Sequence, residues 1–514
     1  MCGECMNRRE FAALAAAGIA GGMVALSSSI GAGTQLAEPW DPDRPPVVSA
    51  APLKVQPILM HAVYQPRAQT SWRSWSRVIN ESAAAEEVQR IQEELKTLAA
   101  RADFPLQLLP LAKVTSREAA ARVHETDYDV VLLFAASGGG DLLRACFAAK
   151  PDKDTIVFVR HRSGPVYYWY EALSTRVVKA PTPEQLLKNS ALDHGGVTVD
   201  DGVVDDYDEV LWRLRALCGL KNFIGQRILA VGGAAGKWDG RAPAVAKEKY
   251  RLQIIEATYQ ELAARLKVDR ADAKLLAQAS QWADRYLALP KTSLETQKPF
   301  VANAFVLYAI LKDWMRQHNA PTLTINQCMG TIIPMSETTA CLPLSLLNDE
   351  GRPAFCESDF VIIPACLLLH YIAGKPVFLH NSTYPHKGIV TCAHCTAPRR
   401  MDGRTYAPAR ILTHYESDYG AAPKVEMPLG QQVCFIDPEY TTGRWVGIKG
   451  IVRDNPFYDI CRSQQDVEIQ GDWRKLLAET RDSHWAMAYG DYLREVGYAA
   501  RKIGINWVNL SGEV

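Results

Sequence analysis

The sequence predicts an α/β protein with two doubly wound, Rossmann-like (flavodoxin-like) domains followed by a β-rich, barrel-like C-terminal domain. Three observations predict this order. Short apolar runs alternate with helical patterns from about residue 55 to 160, and a second strand runs into a Gly-rich turn at 226–240. After residue 375, short strands separated by turns dominate. A chain of 514 residues is also too long for a single hydrophobic core.

These patterns divide the chain into consecutive segments. We expect a signal peptide at 1–37, a linker at 38–50, an N-terminal α/β domain at 51–220, a second α/β domain at 221–375 and the β-rich domain at 376–514. Lys+Arg and Asp+Glu both number 57, so the chain carries no net charge. This balance argues against a nucleic-acid or membrane-surface function that depends on bulk charge.

The N-terminal segment reads "NRREFAALAAAGIAGGMVALSSS", in which Arg8 and Arg9 precede a short apolar stretch. It is similar to a twin-arginine (Tat) export signal, which predicts a periplasmic or secreted protein that uses the Tat machinery. A basic amphipathic N-terminus or an uncleaved anchor is the alternative. Folded export suits a protein that acquires a weakly held ion such as Mn²⁺ in the cytoplasm. No later segment is apolar enough over sufficient length to predict a membrane span.

In the N-terminal domain, "VQPILMHAV" predicts a strand and "AAAEEVQRIQEELKTLAAR" a helix. "YDVVLLFAASGGG" and "DTIVFVRHR" continue the alternation, which indicates a parallel sheet covered on both faces. Gly138–Gly140 follows a predicted strand at the usual ligand edge of such a sheet. These glycines match no phosphate-binding motif, and a tight turn is the alternative.

The second domain is predicted to begin with the strand and turn "QRILAVGGAAGKWDG", followed by long helices. "PTLTINQC" predicts another strand and "SETTACLPLSLLNDEG" a short helix with its turn. "AFCESD" then leads into a buried helix over 360–373, which Gly374 ends. The C-terminal domain contains predicted strands such as "KPVFLHN", "GIVTCAHCT" and "RWVGIKGIV". A closing helix, "HWAMAYGDYLREVGYAARKIG", and a last strand, "INWVNL", follow.

Twelve cysteines are present, mostly in apolar surroundings where a free thiol behaves as a small hydrophobic side chain. Their spacing does not indicate a compact disulfide framework. "CAHC" at 392–395 would suit zinc as an alternative, although no second CxxC motif accompanies it.

Three segments carry candidate site residues. Glu357 and Asp359 precede the buried helix, His380, Asn381, His386 and His394 lie in or beside predicted strands, and His484 opens the predicted closing helix. Carboxylate oxygens and imidazole nitrogens that converge at strand ends are suitable ligands for a divalent metal ion. His386 and His414 are predicted to be surface residues.

The order of Glu-x-Asp, buried helix, Gly-Lys-Pro-Val-Phe, "GIVTCAHCTAPRRMDG" and a late histidine resembles the L-fucose isomerase and L-arabinose isomerase superfamily over about residues 320–510. The resemblance implies two α/β domains before a β-rich domain, and conversion of aldoses to ketoses through a cis-enediol. It also implies Mn²⁺ or another divalent cation, a small-molecule carbohydrate as substrate, and a homo-oligomer, either a trimer or a hexamer.

Carried over by residue, the resemblance makes Glu357 a metal ligand and the acid/base, with Asp359 as its orienting partner. It makes His484 a second ligand and His394 a further one. The remaining ligand falls on Asn381, or on His380 if the strand is shifted by one residue. Apart from the resemblance, Gln327, Arg399 and Arg400 are predicted to bind substrate. Arg399 and Arg400 would bind an anionic sugar or a phosphate, or alternatively would be charges at the rim of the site.

The chain departs from the family pattern at Asn381, where a carboxylate is expected. A neutral amide is a weaker ligand for a hard cation, so a sugar-binding relative without turnover and a lyase-type enzyme are alternative functions. Glu357 and Asp359 would alternatively serve a helix N-terminus. His394 would then be a core residue and His484 a helix cap.

Overall fold

The computed structural model of the protein describes residues 39–167, 195–439, 443–480 and 482–512. The predicted signal peptide, residues 1–37, lies outside these ranges. The described chain has mixed α/β architecture with two parallel sheets and a closed six-stranded antiparallel barrel in its C-terminal region. The predicted change from alternating helices and strands to a strand-rich region is therefore confirmed.

The first parallel sheet has the strand order β2-β1-β4-β5-β6, and β3 also pairs with β1. Strand β4, "VVLLFA", is buried along its whole length because helices cover both faces of the sheet. The elements in this part are β1 (Leu53–Met60), α1 (Glu81–Arg101), β2 (Leu106–Leu108), β3 (Ala112–Val114), α2 (Arg117–His124), β4 (Val130–Ala135), α3 (Gly140–Ala145), β5 (Asp154–Val159), β6 (Gly202–Val204) and α4 (Tyr207–Phe223).

The second parallel sheet has the order β11-β10-β7-β8. The carboxyl ends of its strands carry the segments that matter for the candidate site: the turn after β7 and the "ESD" stretch after β11. The elements are β7 (Arg227–Val231), α5 (Ala242–Lys249), β8 (Gln253–Ala257), α6 (Tyr259–Asp269), α7 (Ala273–Leu287), β9 (Thr292–Leu294), α8 (Lys298–Gln317), β10 (Thr322–Ile325), α9 (Cys328–Ser336), α10 (Cys341–Asp349), β11 (Ala354–Cys356) and α11 (Ile363–Ala373).

Helix α11 is the predicted buried helix, and all of its residues are buried. It begins three residues later than predicted and ends at Gly374, whose φ of 62° places it in the left-handed region that favours glycine. It packs closely against α4 at Gly219, where an added Cβ would lie 2.3 Å from the Ile372 side chain. This close contact joins the helix that follows the Glu357 segment to the first part of the chain.

The barrel is formed by β16-β19-β12-β13-β18-β17, and pairing of β16 with β17 closes it. Strand β20 adds to β17, and β9 from the predicted second domain pairs with β14 in a separate three-stranded sheet. The elements are β12 (Phe378–Ser382), β13 (Ile389–His394), β14 (Ala409–His414), β15 (Tyr419–Val425), β16 (Gln432–Pro438), β17 (Arg444–Asp454), β18 (Ser463–Gln470), α12 (Trp473–Glu479), β19 (His484–Tyr489), α13 (Leu493–Lys502) and β20 (Asn506–Asn509).

One predicted element is wrong in type. "HWAMAY" forms strand β19 rather than the start of the closing helix, which begins only at Leu493. Strand β19 lies between β12 and β16, and it is buried on both sides. A strand buried on both faces shows no alternation of apolar and polar residues, so its sequence does not differ from that of a buried helix.

The described helices bear on membrane spanning. None of them combines the length and the apolar character that crossing a bilayer requires.

Candidate metal centre

The candidate site lies where the second parallel sheet meets one end of the barrel. Glu357 directly follows β11, His394 is the last residue of β13, and His484 is the first residue of β19. Carboxyl ends of parallel strands are the usual ligand edge of α/β sheets. The barrel supplies both imidazoles, and the loop after β11 supplies the carboxylate.

These three side chains converge on one point, and we call them the carboxylate–histidine cluster. His394 Nε2 lies 3.6 Å from Glu357 Oε1, and His484 Nε2 lies 3.5 Å from Glu357 Oε2. One ligand atom from each residue lies within 4.8 Å of the other two. Two donors about 2.0–2.2 Å from one ion are at most about 4.4 Å apart, so a small inward movement suffices for all three to hold the same cation.

Burial differs within the cluster. The side chains of His394 and His484 are 5% and 0% exposed, whereas that of Glu357 is 42% exposed. The imidazoles are therefore fixed inside the protein while the carboxylate stands at the edge. The exposed part of the carboxylate faces solvent.

Asp359 sets the orientation of His484. Its Oδ2 accepts a 2.7 Å hydrogen bond from His484 Nδ1, and its Oδ1 accepts from the backbone N–H groups of Lys237 and Val361. A carboxylate accepts and does not donate, so Nδ1 carries the proton and the lone pair of Nε2 is directed towards Glu357. This carboxylate–histidine arrangement is typical of metal-binding imidazoles.

His394 has a comparable outer contact. Its Nδ1 lies 3.1 Å from the hydroxyl oxygen of Thr396, which leaves Nε2 directed towards Glu357. Both imidazoles thus have Nδ1 occupied and Nε2 directed towards the carboxylate. The donor set of two nitrogens and one carboxylate fits a divalent transition metal ion such as Mn²⁺.

The backbone at Glu357 is strained. Glu357 and Ser358 have φ values of 67° and 47°, two consecutive non-glycine residues in the left-handed region. Each such residue costs on the order of 1 kcal/mol or more and is common at functional sites. Glycine would relieve the strain at position 357 but would remove the carboxylate.

Lys237 is a member of the site that sequence analysis missed. It lies in the turn after β7, and its Nζ is 3.1 Å from His484 Nε2 and 3.7 Å from Glu357 Oε2. The ammonium group supplies positive charge beside the carboxylate. The signal that could have identified it is its place in a Gly-rich turn at the carboxyl end of a parallel strand.

The charges around Glu357 control its ionisation. Partial burial by itself raises the pKa of this carboxyl. The contact with His394 outweighs burial, together with the electrostatic influence of His484 and the ammonium charge of Lys237, so the pKa of Glu357 lies well below its usual range. Glu357 is therefore an ionised carboxylate at neutral pH.

The structure separates the two alternative ligands in β12, His380 and Asn381. Asn381 pairs with His484 across the sheet, so their side chains share a face, and Asn381 is partly exposed. His380 lies on the opposite face, fully buried, with its ring near those of Phe435 and Trp485. Burial lowers the pKa of His380 to about 3. His380 is thus outside the cluster, and the shift by one strand residue is not observed.

Arg399 and Arg400 do not have the predicted substrate-binding position. Both are buried and hold backbone carbonyls: Arg399 Nε donates to Ala407 O, and Arg400 Nε donates to Arg404 O. Arg399 also packs over the ring of Tyr286. Their guanidinium groups hold the loop after β13 in place and are not accessible to a substrate.

Gln327 and two further histidines complete the predicted residues. Gln327 is exposed at the start of α9, with φ 46°, beside Cys328, whose Sγ lies 3.6 Å from that of Cys356. It is therefore near the same sheet edge as Glu357. His386 is exposed, as predicted, but His414 is only 7% exposed, so its surface prediction is wrong. The last residue of β14 is enclosed by neighbouring segments that local sequence does not reveal.

No protein-family model matches this sequence, and no curated protein matches it.

Proposed function

We propose that the protein is a divalent-metal-dependent enzyme, related to the L-fucose and L-arabinose isomerase superfamily, that interconverts the aldose and ketose forms of an open-chain carbohydrate. The observation that carries this proposal is the convergence of one exposed-edge carboxylate and two buried imidazoles within reach of a single cation. Mn²⁺ is the expected ion, held by Glu357, His394 and His484.

The bound cation would polarise the sugar carbonyl and its neighbouring hydroxyl and thereby make the adjacent C–H bond more acidic. Glu357 is the general base and acid: it takes the proton from C2 of the aldose and returns it to C1. Lys237 lies beside Glu357 and donates a proton to O1 as the C2 proton leaves. Lys237 then takes the O2 proton, so the ketose forms with atoms and charge in balance.

The supporting residues keep these groups in position. Asp359 holds His484 in one tautomer, and its other oxygen fixes the turn that carries Lys237 through the Lys237 backbone N–H. One buried carboxylate thus orients both an imidazole and the lysine segment. Such support favours chemistry, because reacting groups must be held within about 0.5 Å of their productive positions.

A second candidate function is sugar binding without turnover, and Asn381 is the observation that favours it. Asn381 shares a sheet face with His484, where the family pattern expects a charged ligand. A centre with one carboxylate has less negative charge to balance a dication than a centre with two carboxylates. A lyase-type reaction through the same enediol is a further variant.

The test is a panel of aldoses and ketoses incubated with the protein and Mn²⁺ in D₂O, followed by NMR. Isomerisation or exchange of the C2 proton that disappears on chelation supports the enzyme. Binding of a sugar without exchange of any C2 proton would support the binding function and overturn the enzymatic proposal. Exchange with C–C or C–O cleavage would identify a lyase.

We also propose that the chain is exported through the Tat pathway and assembles as a trimer or hexamer, and that its two parallel sheets belong to separate doubly wound domains. Replacing Arg8 and Arg9 by Lys should retain the folded protein in the cytoplasm. Light scattering on the purified protein measures the assembly state, and a monomer would contradict that part of the proposal.

A further inference from the structure

A second group of potential metal ligands lies beside the first and has different chemistry. Cys341 is the first residue of α10, Cys395 directly follows β13, and His414 is the last residue of β14. One ligand atom of each lies within 4.8 Å of the other two. We call this group the thiol cluster. Its members are 3%, 2% and 7% exposed, so it is closed where the carboxylate–histidine cluster is open.

A fourth potential ligand contacts this group. Cys461 is partly buried and packs against the hydrophobic cluster that contains Cys341 and Cys395. The four side chains come from four segments that are far apart in the sequence. Three cysteines and one histidine are a standard ligand set for structural zinc, which is four-coordinate and tetrahedral.

Surrounding groups are suited to a thiolate centre. The backbone N–H of Arg462 donates to Cys395 Sγ at 3.5 Å, a contact that stabilises negative charge on sulfur. The Arg462 guanidinium donates to the Thr413 carbonyl at 2.7 Å, next to His414, and places positive charge nearby. Ser417 Oγ lies 3.4 Å from His414 Nδ1 and contributes an outer contact to the imidazole.

We propose that Cys341, Cys395, Cys461 and His414 form a structural site for Zn²⁺ or a similar thiophilic ion. Thiolate ligands select such ions, whereas the carboxylate–histidine cluster suits harder ones. The site ties α10 to the barrel end of β13 and to the small sheet of β14. Since Cys395 follows His394 directly, the ion fixes the strand end that carries a ligand of the first cluster. This inference does not depend on the proposed isomerase function.

The first measurement uses the unaltered full-length chain, purified under reducing conditions and reconstituted with Co²⁺. Four-coordinate cobalt with thiolate ligands gives sulfur-to-cobalt charge-transfer absorption in the near ultraviolet, which oxygen and nitrogen ligands do not give. We expect this absorption in the wild type and in Glu357→Gln, with displacement by Zn²⁺. Its absence from the reduced, folded wild type would overturn the proposal without any cysteine variant.

The second measurement is the zinc content by mass spectrometry after dialysis. We expect one zinc ion per chain in the wild type and in the control Cys434→Ser, which changes a buried barrel cysteine outside the cluster. The Cys395→Ser and His414→Gln variants should retain less than about a tenth of the wild-type zinc content. Unchanged zinc content in both folded variants would overturn the proposed site. A Cys395–Cys461 disulfide that persists under the reducing conditions would overturn it as well.

Discussion

The two clusters begin from neighbouring residues of one strand end and yet differ in chemistry. His394 belongs to the carboxylate–histidine cluster and Cys395 to the thiol cluster, because consecutive side chains of an extended chain point to opposite sides. The first cluster has a 42% exposed carboxylate, and every member of the second is at most 7% exposed. An open position suits a reaction centre, whereas a closed one suits a structural ion.

Exposure and ligand type differ between the two sites, and the proposed functions differ accordingly: a reaction at the open cluster and a structural ion at the closed one. The open cluster combines a strained backbone at Glu357, a neighbouring ammonium group and an orienting carboxylate. The three members of the thiol cluster are buried, and the nearby guanidinium of Arg462 is held by the Thr413 carbonyl. Three predictions test this difference between the clusters and one tests a buried histidine outside both, from the largest expected effect to the smallest.

The largest effect is expected for Glu357→Gln. The amide keeps the shape but cannot accept a proton from carbon, and it is a poorer ligand for a dication, so C2-proton exchange should fall by about 10²- to 10⁴-fold. NMR in D₂O measures the exchange, and the zinc content of the thiol cluster should stay constant. Glu337→Gln is the matched control, because Glu337 is exposed and paired with Arg270. Equal exchange in wild type and Glu357→Gln would refute the assigned role.

Asp359→Asn should lower the Mn²⁺ affinity of the carboxylate–histidine cluster by about 10- to 100-fold. The amide oxygen can still accept from the backbone, which directs the NH₂ group at His484 Nδ1 and favours the wrong tautomer. Calorimetric titration with Mn²⁺ measures the loss. Asp418→Asn, at a side chain that is 91% exposed, is the control. An affinity equal to wild type would show that His484 is oriented by other contacts.

His370 is a buried histidine outside both clusters, and it is expected to affect the pH dependence of the free energy of unfolding. Burial lowers its pKa to about 4, below the ordinary 6.5. Below pH 6.5 the His370 imidazole is protonated in the unfolded chain, whereas in the folded chain it is protonated only below about pH 4. The free energy of unfolding therefore decreases as the pH falls from 6.5 to about 4. At pH 5 the loss is about 2 kcal/mol.

Replacing His370 by Gln should remove this part of the pH dependence, because the amide has no charge to gain and can still donate to the Lys375 carbonyl. Urea unfolding at pH 7.5 and pH 5 measures the difference, with the exposed His318→Gln as control. The same pH dependence in wild type and His370→Gln would contradict the prediction.

The smallest effect on Mn²⁺ affinity is expected for Lys237→Met. Removing an ammonium group 3.1 Å from His484 Nε2 relieves repulsion of an incoming dication, so Mn²⁺ should bind roughly 5- to 10-fold more tightly. Turnover should fall at the same time, because the proton donor to O1 is lost. Lys247→Met, an exposed position, is the control. Weaker metal binding in Lys237→Met would show that the lysine supports the metal site.

Much of the fold was accessible from sequence because it depends on local periodicity. The alternating elements, helix α11 with its Gly374 end, and the strand-rich C-terminal region are all predicted by patterns of a few residues. Strand β19 was missed because burial on both faces removes the alternation. Arg399 and Arg400 were misinterpreted because charged residues are expected at the surface, whereas here their planar groups hold loop carbonyls.

The sequence by itself determined that a carboxylate precedes the buried helix and that His394 lies in a strand, since these are local features. The pattern around His484 instead predicts a helix where strand β19 forms. Only the tertiary structure decided which groups meet. The turn with Lys237 reaches Glu357 across 120 residues of chain, and Cys341, Cys395 and His414 converge from separate elements. Such contacts depend on sheet register and packing between distant segments, which no local pattern specifies.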